Sequence, residues 1–167
     1  MTVQHIATHQ DTILHQRAKP VTAFDRQLSK LASDMMDTMM ASDGVGIAAP
    51  QIHSSLALFI IASRPNVRYP DAPEMAPQVM VNPKIISASE ESVMGEEGCL
   101  SLPGTRLIIA RHQWVEVQYQ DLQGQDHQQV LEGFVARIFQ HELDHLHGVT
   151  LLERVRLTGQ PLESKPC

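Results

Sequence analysis

The sequence predicts an α+β fold: mostly antiparallel strands gathered around a late helix that carries a His-Glu-x-x-His motif, with an amphipathic helix near the N-terminus. Three observations predict it. Leu28, Leu31, Met35 and Met39 recur at intervals of three and four, the stripe of a helix with one buried face. Trp114 to Tyr119 runs with period two, and Asp121-Leu122-Gln123-Gly124 supplies a turn through which the chain returns along Gln128–Leu131. Helical spacing then resumes. Phe134, Ile138, His141 and His145 share one stripe, and Val135, Phe139, Glu142 and Leu146 the next.

The first helix is expected between Phe24 and Ala41, stopping before Gly44. Its methionines, Met35, Met36, Met39 and Met40, read as core packing before they read as a plastic binding surface. Next comes Gly44-Val45-Gly46-Ile47-Ala48-Ala49-Pro50-Gln51, then the apolar run Leu56–Ala62, which suits a buried strand. Prolines at 65, 70, 73 and 77 make residues 64–78 a loop. Val79–Val81 and Ile85–Ile86 are expected as separate short extended pieces on either side of Pro83. Residues 1–167 are expected to form one domain, with a loosely ordered tail from about residue 155.

Composition narrows the class. The 167 residues are 43% apolar and 19% charged, which suits a globular protein. A net charge of −6 argues against a DNA-binding protein, whose footprint is a basic face. Cys99 and Cys167 are too few for a disulfide scaffold. The longest apolar stretch has seven residues, against roughly 20 needed to span a bilayer, and no signal peptide is visible. The expected compartment is the cytoplasm, with no membrane partner.

The strongest local signal is His141-Glu142-Leu143-Asp144-His145. Residues four apart on a helix stand one turn above each other, so both imidazoles can reach one ion. Glu142 projects from the adjacent edge, where it can bond a water on that ion without being a ligand. Ile138 and Phe134 continue the stripe, so both histidines face inward and need polar partners. His147 points about 200° away around the helix and reads as a helix-end or surface residue. A hydrolytic site wants a third protein ligand and one open position. Glu96, Glu97, Cys99 and Asp144 are the candidates. Cys99 stands out beside Gly98, yet a buried structural cysteine explains it as well.

Three segments together resemble the motifs of the peptide deformylase family: Gly44–Gln51, Glu97-Gly98-Cys99-Leu100-Ser101, and Gln140-His141-Glu142-Leu143-Asp144-His145-Leu146. They stand in the family's order and at similar separations, within a resemblance running from about Ile13 to about Arg154. It implies a metal-dependent hydrolase that removes formate from the N-formyl-methionine of nascent polypeptides. Cys99, His141 and His145 would then hold one divalent ion: Fe²⁺ in the cell, with Ni²⁺, Co²⁺ or Zn²⁺ as substitutes. Glu142 would be the general base and acid. The Gln51 side chain and Leu100 N–H would flank the oxyanion, and Gly46 would offer its backbone to the substrate. Val45, Glu97, Arg106, Phe134 and Ile138 match positions that line or border the methionine pocket.

Three alternatives stay open, one of them a non-catalytic binding or structural protein that has kept the fold, against which the intact ligands, Glu142 and Gln51 speak. The same helix motif serves zinc peptidases, though only Glu153 and Glu163 remain downstream as a third ligand. A deformylase-fold amidase could also take another small N-acyl group. Many bacterial deformylases continue into a basic C-terminal helix that docks at the ribosome. Here the side chains after His147 carry a net charge of only +1, broken by Gly159, Pro161 and Pro166. The resemblance implies the ribosome as a partner, yet docking by that route is not expected, and this departure points to a secondary or specialised deformylase.

Overall fold

The computed structural model describes residues 2–158 and the backbone of residues 165–166. Helix α1 spans Arg26–Ala41 and starts where Asp25 accepts from the N–H groups of Gln27 and Leu28 at 2.9 and 3.0 Å. Strands β1 (Gly46–Ala48), β2 (Leu58–Ile61), β3 (Gln78–Ala88), β6 (Trp114–Gln120) and β7 (Asp126–Glu132) form one antiparallel sheet in the order β1-β2-β3-β6-β7. Helix α2 spans Gly133–Leu146.

Both faces of this sheet are covered at β2, which explains the unbroken apolar run there. Phe59 and Ile61 pack with Ile138, Phe139 and Leu143 of α2. Leu58 and Ile60 pack with Leu28, Met35 and Met39 of α1. Side chains alternate across a strand, so a strand between two helices needs apolar residues at every position. Phe59 meets Phe139 edge to face at 5.1 Å between ring centroids. Met35 and Met39 are fully buried, as core packing requires, while Met40 is exposed.

Three features differ from the sequence reading. The pieces around Pro83 are one strand, β3, because a bulge between Val81 and Lys84 absorbs the proline. Asn82 holds that bulge at φ +50°, its side chain accepting from Val21 N–H and donating to Val21 carbonyl and Gln120. A second antiparallel unit was not foreseen: β4 (Ser92–Cys99) pairs with β5 (Leu102–His112), and β8 (Lys165–Pro166) pairs with β5 in turn. The first residues of the expected tail also belong to a helix. Helix α3 (Leu151–Leu157), capped by Thr150 and Glu153, buries Leu151 and Val155 against Leu107 and Ile109. Residues 159–164 and Cys167 of that expected tail lie outside the described residues.

Helix α2 ends at Gly148, which adopts φ +75° while Val149 N–H donates to the Asp144 carbonyl at 2.9 Å. A Cβ at this glycine would lie 2.9 Å from the backbone of His15 and Gln16. Gly148→Ala should therefore cost about 1–2 kcal/mol, read as a fall of about 2–8 °C in thermal midpoint. An unchanged midpoint would show that the helix end is not fixed by this contact.

Candidate metal centre and active site

Strand β4 and helix α2 converge to bring three donors together. Glu97 and Cys99 are two apart on β4 and point to the same buried side, while Glu96 points outward. His141 and His145 are one turn apart on α2, their rings 5.1 Å apart. Cys99 Sγ lies 3.3 Å from His145 Nε2. One donor atom from each of Cys99, His141 and His145 falls within 4.8 Å of the others. Of the four candidates for a third ligand, only Cys99 joins the histidines. Glu96 lies beside Arg106, and Glu97 and Asp144 are taken by buried arginines.

The electrostatics suit a divalent ion. Burial alone would push the Cys99 thiol up, but His145 and His141 beside it hold it well below its ordinary value. His141, which burial would push down, is raised well above the ordinary imidazole value by Cys99 and Glu97. These are groups compensating one another around a common centre. Among the described residues, His145 Nδ1 and Glu142 Oε2 are buried with no hydrogen-bond partner. A thiolate, two imidazoles and an unpartnered carboxylate oxygen fit a metal with a water beside it.

Glu142 is 4% exposed, and burial pushes its carboxyl up to about 7, with His141 and His145 pulling the other way. Gly46 makes that position possible: a Cβ there would collide with Glu142 Oε1 and stand 2.9 Å from Ile138 Cγ2. Gln51 lies on a 3₁₀ turn, Ala49–Ile52. Its Oε1 accepts from Ala48 N–H at 2.9 Å, which turns Nε2 toward Ser101 Oγ (3.1 Å) and Cys99 Sγ (3.6 Å). Val45, Gly46, Gln51, Glu97, Leu100, Phe134, Ile138 and Glu142 all line the cavity over Cys99 and His141. Arg106 stands outside it, 3.5 Å from Glu96 and with its guanidinium 4.6 Å from the Tyr69 ring centre. His147 is exposed at the end of α2.

Sequence reasoning missed the ionic frame behind the trio. Arg111 donates to both oxygens of Glu97 (2.9 and 3.0 Å) and to Asp144 (2.6 Å). Arg154 donates to Asp144 from the other side, and Arg137 reaches Glu97 and the carbonyls of Ile109 and Val93. Burial would raise the Glu97 carboxyl, but Arg111 and His141 hold it well below the carboxylate range. Glu97 Oε2 lies 3.5 Å from His141 Nδ1, so this fixed charge sits behind one imidazole of the trio. A signal was present: Arg111 follows Leu107 and Ile109 on the core-facing side of β5, and Arg137 precedes His141 by one helical turn. Buried cations at such positions require carboxylates.

A family model described as polypeptide deformylase matches residues 3–160. The chain is 57% identical over 164 residues to peptide deformylase 2 of Shewanella oneidensis, covering 96% of this chain and 91% of that one. It is 54% identical over 131 residues to peptide deformylase 2 of Nostoc, covering 78% and 73%. A Met-Ala-Ser-bound class I type b peptide deformylase from Acinetobacter baumannii superposes with a TM-score of 0.89 at 49% identity, covering 92% of this chain and 98% of the other.

Replacing Arg111 with methionine would leave Glu97 and Asp144 buried short of a counter-charge. Arg111→Met should destabilise the fold by about 3–5 kcal/mol, measured by urea unfolding, and Asp144→Asn in that background should recover part of the loss. A cost below about 1 kcal/mol would mean that the frame is not ionic in character. From its motifs, its fold and these relatives, the chain belongs to the polypeptide deformylase family of metal-dependent hydrolases.

Proposed function

We propose that this protein hydrolyses the formyl amide of N-formyl-methionyl polypeptides over Cys99, His141 and His145, releasing formate, with Glu142 carrying the proton. The observation that carries this reading is the Cys-His-His trio beside a buried carboxyl whose Oε2 has no protein partner. A divalent ion held by the trio would supply Lewis acidity and lower the pKa of water from 15.7 to about 7. Glu142 accepts a proton from water as the water oxygen bonds to the formyl carbon. It returns a proton to the amine nitrogen as the carbon–nitrogen bond breaks. A carboxyl poised at about 7 suits both halves of that exchange.

Gln51 Nε2 and the Leu100 N–H donate to the oxyanion that forms on the former carbonyl oxygen. The Ala48 contact sets the Gln51 amide so that its donor, not its acceptor, faces the site. Strand β1 is an edge of its sheet, so Gly46 offers backbone groups to an extended substrate. The methionine side chain enters between Val45, Phe134 and Ile138, with Glu97 behind and Arg106 at the border. Thiolate and imidazole ligands suit Fe²⁺ in the cell and accept Ni²⁺, Co²⁺ or Zn²⁺. Residues 1–167 act as one catalytic domain, in the cytoplasm, where formylated nascent chains emerge. Among the described residues no helix is long and apolar enough to cross a membrane.

Formate release from a formyl-methionyl peptide tests the reading. Glu142→Ala should keep its metal yet lose about 10²–10⁴ in turnover, whereas Cys99→Ala and His145→Ala should lose the metal in elemental analysis. Near-normal turnover in Glu142→Ala would remove it as the base. Gln51→Ala should cost about 10²–10³ in kcat; a change confined to KM would mean that Gln51 binds substrate without holding the oxyanion.

A further inference from the structure

Arg68 stands at the mouth of the cavity and has no part in the reaction above. Its loop, between β2 and β3, is pinned by Asn66, whose Oδ1 accepts from Arg68 N–H at 2.8 Å and Tyr69 N–H at 2.9 Å. Tyr69 is anchored in turn. Its hydroxyl accepts from Gly98 N–H at 2.9 Å, and its ring lies 4.9 Å from that of Phe134. The Arg68 guanidinium thus rests on the strand that carries Cys99: a Cβ at Gly98 would lie 2.5 Å from its Nη2. Glycine at 98 leaves room for it. Arg68 borders the cavity over Cys99 and both recesses that flank it, one along Leu102–Arg106 and one along Tyr69–Ala72.

Its charge has no counter-charge among the described residues. Neighbouring Arg64 pairs with Asp43, Arg106 with Glu96 and Arg137 with Glu97. Among the described residues no carboxylate pairs with Arg68, in a protein whose net charge is −6. A guanidinium presents a planar fork of donors that matches a carboxylate. An extended peptide advances about 3.3 Å per residue, so a chain whose formyl group sits at Cys99 passes Gly98 within its first residues.

We propose that Arg68 is a specificity-determining residue that pairs with a carboxylate on either of the two residues after the formyl-methionine, favouring acidic over basic N-termini. This rests on the deformylase reading given above. The test compares kcat/KM for formate release from N-formyl-Met-Ala-Ser-amide and from forms with Asp or Lys at each of the last two positions, using the full chain loaded with Ni²⁺. At low salt the wild type should favour Asp over Lys at one of these positions by about three- to tenfold. The ratio should shrink as salt is added, fall to about one in Arg68→Gln and reverse in Arg68→Glu. Calorimetric affinities for the products Met-Asp-Ser-amide and Met-Lys-Ser-amide should follow any preference at the first position. The ratio is read within one protein, so a variant of lower activity still reports, and the wild-type salt dependence decides if a variant does not fold. A wild-type ratio of one at both positions, or a ratio that survives Arg68→Gln and Arg68→Glu, would overturn the proposal. Release from the Ala peptide without discrimination leaves the deformylase reading intact and removes only this role. No release from any peptide ends both.

Discussion

Arg111 enters the interior as a full charge, and the Cys99–His141–His145 trio depends on what meets it there. It joins Glu97, two residues before Cys99 on β4, to Asp144, the residue before His145 on α2. One guanidinium therefore ties the strand that carries Cys99 to the helix that carries His141 and His145. Arg154 extends the tie to α3 and Arg137 to the carbonyls of β4 and β5. Desolvating five charged groups costs several kcal/mol apiece before pairing, so the net stabilisation is small. What the network supplies is position. The bidentate Arg111–Glu97 pair permits one register of β4 against β5 and one rotation of α2 over both.

The second requirement is depth. Glu142 is dry, with its carboxyl near neutrality, yet it lines the open cavity over Cys99. The sheet provides both by placing a glycine where its edge strand touches the helix. Without a Cβ at Gly46, β1 packs against Ile138 and Glu142 directly, which buries the carboxyl while leaving the strand's outer edge free. A larger residue would push strand and helix apart and admit water to the carboxyl.

Much of this was legible in the sequence, for identifiable reasons. Helix α2 declared itself because its buried face is continuous, with the two histidines set into an apolar stripe. Strand β2 and the β6–β7 hairpin were legible from an apolar run and a two-residue period closed by a turn. Strands β4 and β5 were not. Val93 and Met94 are exposed, glycines stand at 95, 98 and 104, and Pro103 interrupts the start of β5. Propensity opposes a hairpin there, and the buried Glu97–Arg111 pair joins its two strands instead. Cys99 could not be chosen from spacing, since Glu97 and Asp144 were equally near the histidines. Their engagement by Arg111 decides the matter, and that contact spans fourteen and thirty-three residues of chain.

Two buried glutamates in one site show how residues of the same type part company. Glu97 and Glu142 are 2% and 4% exposed, so burial presses both toward the neutral form. Glu97 meets two guanidinium groups and stays a carboxylate, a fixed charge behind His141. Glu142 meets only imidazoles, with Cys99 and Glu97 opposing them, and rises to about 7. A carboxyl paired with an arginine is held as a fixed charge, whereas one that lies near neutrality can take up or release a proton. Among the described residues the buried arginines cluster at Glu97, and Glu142 has only imidazoles to oppose its burial.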